Sequence, residues 1–245
     1  MASFAIRIWD LPVRLVHWSF VVLVGAMWWT AETGRLKIHL TLGIVTLGLV
    51  IFRLLWGLFG SDTARFSAFV KGPAAIRAYL AGLRNGTAAP MIGHNPLGAL
   101  SVIALLGALG VQVALGLFAQ DTDALFSGPL NSLPFVTWEL GGVLTELHEA
   151  FFNVLLALVA LHIAAIAYYR IAKRDNLIKP MITGERTIDD EVEAPRIAPL
   201  WKALVCAAIA AAVALWVSWS APPWGAAFPW NQSAEVKQLD PASYM

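Results

Sequence analysis

Residues 147–169 read LHEAFFNVLLALVALHIAAIAYY, an apolar run holding two histidines, His148 and His162, fourteen positions apart. At roughly 1.5 Å and 100° per residue the two sit about 21 Å apart along a helix and within about 40° of one face. An ionisable side chain inside an apolar run of this length is costly and points to function. This helix therefore offers two imidazoles on one face at two depths, and the rest of the chain has to be read for what meets them.

The surroundings are those of a membrane protein. Of 245 residues 58% are hydrophobic and 13% charged, against about 25% charged in soluble domains. Five stretches approach or reach the ~20 apolar residues that cross a bilayer: Leu15–Ala31, Ile38–Leu58, Leu97–Phe118, Leu147–Tyr169 and Leu200–Trp219. The first ends in Trp28 and Trp29 rather than in small residues of a cleavage site, so it reads as a retained helix. The expected fold is all-α and integral to the membrane, a four-helix bundle with a fifth, C-terminal transmembrane helix. The single cysteine, Cys206, excludes an internal disulfide framework, a cysteine-ligated iron–sulfur cluster and a C-x-x-C-H haem attachment site.

Charge placement gives the orientation. With the N-terminus in the cytoplasm, all of the seventeen Lys and Arg except Arg35, Lys37 and Lys237 fall inside, as the positive-inside rule requires. The loop 119–146 has no basic residue and carries Asp121, Asp123, Glu139 and Glu146. The C-terminus is then periplasmic. Residues 61–90, with Phe66, Phe69, Ile76, Tyr79, Leu80 and Leu83 interleaved with Lys71, Arg77 and Arg84 and broken at Gly72–Pro73, read as an amphipathic cytoplasmic segment on the inner leaflet. Residues 1–185 are read as the four-helix domain, 186–199 as a cytoplasmic linker, 200–219 as the fifth helix and 220–245 as a periplasmic tail.

This topology sorts the histidines by depth. His17 starts helix one on the inner side, His39 starts helix two on the outer side, and helix four puts His148 outside and His162 inside. The expected pairs are His39 with His148 (outer) and His17 with His162 (inner), each joining helix four to a different helix. Imidazole is a usual axial ligand of haem iron, and two such pairs across a bilayer have the geometry of two b-type haems in a four-helix bundle. Two levels a membrane thickness apart do not suit one metal ion, and two ligands per level are too few for zinc. Taken singly, any of these residues could be an interfacial, hydrogen-bonded histidine. His94 has no partner at its depth; in Gly-His-Asn-Pro, Asn95 suits an N-cap and Pro96 the first helical position.

Other residues fit a bound macrocycle or plain helix packing equally well. Gly43, Gly48, Gly107, Gly110 and Gly116 permit close approach. Arg35, Lys37, Arg14, Arg53 and Arg170 could meet propionates, with Arg35 at the outer level and Arg53 lying inside an apolar run.

The stretches Arg7-Ile-Trp-Asp-Leu-Pro-Val-Arg-Leu-Val-His-Trp, Phe52-Arg-Leu-Leu-Trp-Gly, Gly93-His-Asn-Pro-Leu-Gly and Leu147-His-Glu resemble the bacterial di-haem cytochrome b561 group. That group is related to the cytochrome b subunits of nickel-iron hydrogenases. The resemblance spans about residues 5–185 and implies a four-helix core, two non-covalent b haems and electron exchange between the membrane quinone pool and a redox partner. Its ligand positions fall on His17, His39, His148 and His162. It also implies the bacterial inner membrane and a periplasmic partner such as a c-type cytochrome or a dehydrogenase- or hydrogenase-type subunit; nucleic acid is not among the expected partners. A quinone site is expected near His94 and Asn95. The fifth helix and the aromatic tail (Trp224, Phe228, Trp230) depart from the minimal pattern and suggest docking. The rival functions are a proton-relaying transporter and a membrane anchor without redox work.

Overall fold

The computed structural model describes residues 4–87, 91–121, 126–188 and 193–220; the tail aromatics Trp224, Phe228 and Trp230, and Asp123, lie outside these. Among the described residues five long helices are apolar enough to cross a membrane: α1 (Leu11–Glu32), α2 (Leu36–Phe59), α5 (Pro96–Phe118), α6 (Trp138–Ile171) and α8 (Leu200–Ser220). Between α2 and α5 lie a 3-10 turn, Asp62–Ala64, then α3 (Phe66–Phe69) and α4 (Pro73–Asn85). A short α7 (Ile178–Thr183) follows α6. Strand β1 (Phe4–Arg7) pairs antiparallel with β4 (Glu185–Ile188), Phe4 opposite Ile188, and β2 (Gln120–Asp121) pairs with β3 (Phe126–Ser127).

Two helices begin earlier than apolar runs suggest, and caps decide both. α1 starts at Leu11 because Asp10 accepts the Val13 amide at 2.7 Å and Pro12 fits the first turn, where its missing N–H costs nothing. α6 starts at Trp138, nine residues before the run at Leu147, because Thr137 caps it through the Leu140 amide at 3.2 Å and Glu139 lies in its first turn. A carboxylate at a helix N-terminus is favourable, so the charges that end the apolar run do not end the helix. Asn95 caps α5 at 2.8 Å with Pro96 following, and Gly72–Pro73 opens α4, both as expected.

α1 lies along α2, α5 along α6, α2 touches α5, and α8 covers a flank of α2. That last packing uses small residues: Gly48 faces Ala214, and Ala203, Cys206 and Ala210 join the core with Phe52 and Trp56. Halfway along the bundle Val50, Ala108, Leu109 and Leu155 form an apolar plug with Phe20 against it. Leu155 is two helical turns from each α6 histidine, so the plug separates the two histidine levels.

The end carrying the β1–β4 ribbon, called here the ribbon end, is tightly tied. Ile8 and Trp9 donate their amides to the Gly184 carbonyl at 2.8 and 3.1 Å. Gly184 has φ +87° and no room for a Cβ, which would stand 2.9 Å from the Trp9 carbonyl. Arg14 donates to the Ile182 carbonyl at 2.7 Å and the Trp18 indole to that of Met181 at 3.1 Å. Arg65 and Asp62 are ion-paired. The opposite, turn end, where α1 meets α2, has the β2–β3 strand pair. It is held by Gln120 N–H to Thr145 Oγ1 at 2.8 Å and Asn131 Nδ2 to Gln120 Oε1 at 3.2 Å.

Candidate functional site

Four histidines meet in two pairs in the space between α1 and α2 on one side and α5 and α6 on the other. His39 and His148 have ring centroids 6.1 Å apart at the turn end; His17 and His162 are 6.4 Å apart at the ribbon end. With metal–imidazole bonds of about 2 Å and ring nitrogens about 1.2 Å from their centroids, two rings gripping one metal from opposite sides stand about 6.4 Å apart. Among the described residues neither pair has a hydrogen bond between its own two rings. No group of three or more His, Cys, Asp or Glu gathers among the described residues, which leaves two ligands per level.

Hydrogen bonds to Nδ1 orient three of the four rings. His39 Nδ1 lies 2.9 Å from the Met27 carbonyl, with Thr30 Oγ1 at 3.4 Å. His148 Nδ1 lies 2.9 Å from the Gln112 carbonyl. A carbonyl only accepts, so both Nδ1 atoms carry the proton; this leaves the His39 Nε2 lone pair for a metal, while the His148 Nε2 has the Gln112 amide nitrogen 3.3 Å away. His162 Nδ1 meets Ser101 Oγ at 3.1 Å. His17 Nδ1 is buried without a partner among the described residues.

The turn-end pair opens on a cavity of about 470 Å³ lined by Met27, Trp28, Gly43, Gly116 and Phe152 among others, a volume usual for small-molecule and cofactor sites. At Gly116 a Cβ would stand 2.9 Å from the His148 ring, so glycine there makes the room. Gly43 also faces the cavity, Gly48 serves α8 packing, and Gly107 and Gly110 have nothing within 4 Å of a Cβ position. A planar, largely apolar group with two axial nitrogen ligands fits this arrangement: neutral imidazoles, an apolar wall and a slot kept open by glycine.

Of the cations named for propionates, Arg35 and Arg53 lie as follows. Arg35 stacks its guanidinium 4.3 Å over the Trp29 ring at the turn end and is exposed. Arg53 is buried, donates to the Ala64 carbonyl at 3.3 Å and lies over Phe66. His94 is wedged between Trp9 and Phe69, ring centroids 4.5 and 4.6 Å away, with Nδ1 buried and unpartnered among the described residues. Burial pushes its imidazole down to about 3, with the charges of Arg53 and His162 adding to the effect. Asn95 is engaged at both ends of its amide, capping α5 and donating to Tyr169 Oη at 3.0 Å. Tyr169 meets Tyr79 Oη at 2.9 Å, and burial with this bond raises the Tyr79 hydroxyl.

Sequence reasoning missed Gln112, Thr30 and Ser101. Their signal was a polar side chain in an apolar run. Gln112 is buried, donates to the His148 carbonyl at 2.9 Å and lies 3.3 Å from both nitrogens of that ring.

No curated protein and no solved structure matches this chain. Residues 8–184 match the sequence model of the prokaryotic cytochrome b561 family. That stretch contains all four paired histidines and most of the chain: the protein belongs to the prokaryotic cytochrome b561 family, multi-pass membrane proteins that bind haem b and carry electrons across the bilayer.

Proposed function

We propose that this cytochrome carries electrons through two b haems, one held by His39 and His148 and the other by His17 and His162. The observation that carries it is the pair of centroid separations, 6.1 and 6.4 Å, at two levels of one bundle. A bound haem supplies a one-electron iron couple. The protein supplies the rest: Met27 and Gln112 carbonyls fix the ring tautomers, Gly43 and Gly116 leave the slot, and the apolar plug keeps water from the interior.

The positive-inside count supports a ribbon end in the cytoplasm and a turn end in the periplasm, with the C-terminus periplasmic. Electrons then pass between a quinone at the ribbon end and a periplasmic redox protein, such as a c-type cytochrome or a dehydrogenase- or hydrogenase-type subunit, at the turn end. Support for the quinone position is the His94 Nδ1, without a hydrogen-bond partner among the described residues, near Asn95, Tyr169 and Tyr79. Arg35 serves the turn-end propionates and Arg53 those of the ribbon end. Residues 1–185 form the electron-carrying unit, 186–199 the linker, and the fifth helix (200–219) and tail (220–245) the docking addition.

A visible difference spectrum with haem quantitation on the purified protein tests this. Reduced-minus-oxidised alpha bands of b haem at two haems per chain are expected. One haem per chain overturns the two-site assignment, and a colourless, folded protein favours a proton-relaying transporter or a membrane anchor.

A further inference from the structure

Past the end of α6 the chain doubles back and makes a second pocket, at the ribbon end. The Asp175 amide donates to the Tyr169 carbonyl at 3.0 Å, and Arg174 takes φ +55° in the turn. The turn returns α7 toward the end of α6. There α1 holds it, through Arg14 to the Ile182 carbonyl at 2.7 Å and the Trp18 indole to that of Met181 at 3.1 Å. The pocket, about 300 Å³, is lined by Arg170, Asn176, Ile178, Lys179, Ile182 and Thr183. That is the lower end of the range for small-molecule sites.

Its lining has a polar and an apolar side. Residues four apart stack on one helix face, and Thr183 Oγ1 donates to the Lys179 carbonyl at 3.0 Å. Lys179 and Thr183 therefore make a polar row, with Ile178 and Ile182 as an apolar row next to it. Both isoleucines are exposed, as is Ile171 at the end of α6. Asn176 gives its side-chain oxygen to the Ile178 and Lys179 amides at 3.2 Å each, which leaves its NH2 group as a donor. The two acids of this stretch are taken by other cations: Asp175 pairs with Arg186 at 2.8 Å and Glu185 with Arg7 at 3.6 Å. Among the described residues neither Arg170 nor Lys179 has an ion-pair partner.

We propose that this pocket binds the phosphate of an anionic phospholipid, held by Arg170 and Lys179, with Ile178 and Ile182 against the start of its acyl chains. Two such cations and a carboxamide donor suit a phosphodiester. Free phosphate would use the cations alone; the exposed isoleucines beside them, at the end of an apolar span, select a lipid. Basic pockets at this level of membrane proteins bind anionic head groups. The exposed Trp18 that holds α7 is a residue type enriched at the same interface.

The test is native mass spectrometry of the full chain in a neutral detergent, titrated with short-chain phosphatidylglycerol. The dissociation constant of the first bound lipid is read, against phosphatidylcholine of equal chain length and against inorganic phosphate. Phosphatidylglycerol is expected to bind more tightly than phosphatidylcholine and to stay bound in excess inorganic phosphate. Equal affinities, or displacement by phosphate, overturn the proposal. Arg170→Gln with Lys179→Gln is expected to weaken phosphatidylglycerol about fivefold for each cation lost, with haem content kept. Lys173→Gln with Arg174→Gln removes the same charge from exposed side chains outside the pocket and is expected to leave the affinity nearly unchanged. If this control pair loses as much as the pocket pair, the attraction is to a diffuse basic surface and the proposal falls. Loss of haem from the pocket pair assigns Arg170 to a propionate and overturns it too. Lys179→Gln alone, on an exposed side chain, serves where the double variant does not fold. A loss of about fivefold is expected there, and an unchanged affinity overturns the proposal.

Discussion

The Trp56 indole donates to Asp10 Oδ2 at 2.9 Å while Asp10 Oδ1 caps α1 through the Val13 amide at 2.7 Å, so one buried carboxylate ties the end of α2 to the start of α1. It also faces the buried charge of Arg53. Asp10→Ala removes all three and leaves a buried cation uncompensated, a change that costs about 3–5 kcal/mol. Asp10→Asn keeps the cap and is expected to lose less. Thermal unfolding in detergent should rank wild type above Asn above Ala; equal melting of Asn and Ala would show that the charge, and not the cap, is the main effect.

Replacing His148 with Ala should remove the turn-end haem and leave the other, and His162→Ala should do the reverse. Each variant is expected to carry about half the wild-type haem per chain, since two ligands hold each iron. Haem quantitation on folded protein checks this, and unchanged haem content in either variant would sink the ligand assignment.

Gly116→Val fills the slot beside His148, where even a Cβ stands 2.9 Å from the ring. Loss of the turn-end haem is expected with the ribbon-end haem retained. Gly107→Ala is the control, because nothing lies within 4 Å of its Cβ position. If both variants load fully, the space at Gly116 is not used by the cofactor.

His94 gives an acid sensitivity whose sign is fixed. Its imidazole is pushed down to about 3 in the folded protein against about 6.5 when unfolded, so below pH 6.5 the unfolded state binds the extra proton. Stability from this residue is therefore complete above pH 6.5 and falls as pH drops toward 3, at up to about 1.4 kcal/mol per pH unit. His94→Phe, packed between Trp9 and Phe69, should flatten this part of the melting-temperature profile between pH 6.5 and 4. A variant profile parallel to wild type would assign the acid loss to other groups.

The depth argument found the histidine pairs because each sits near an end of an apolar run, and run direction fixes the level. It could not find what their Nδ1 atoms hydrogen-bond to. Two of the acceptors, on Met27 and Gln112, are backbone carbonyls, which every residue has and no pattern marks. Gln112 was legible as a buried polar residue in the run Leu97–Phe118, but helix packing explains such a residue as well. Helix starts at Asp10 and Thr137 were written in capping residues, yet hydrophobicity alone places them four and nine positions late. The β1–β4 ribbon was not legible at all: two four-residue strands flank every one of the first four spans, and strands that short carry no alternation.

That ribbon has a consequence for how the molecule is made. Synthesis runs from the N-terminus, so β1 is finished first and waits unpaired while α1, α2, α5 and α6 are inserted. Its partner β4 emerges only after the fourth span and before α8. Until then nothing fastens Ile8 and Trp9 to Gly184, and the bundle lacks its seam at that end. Closure is therefore the last act of the four-span unit, and the fifth span arrives on a flank of α2 whose end is already tied down.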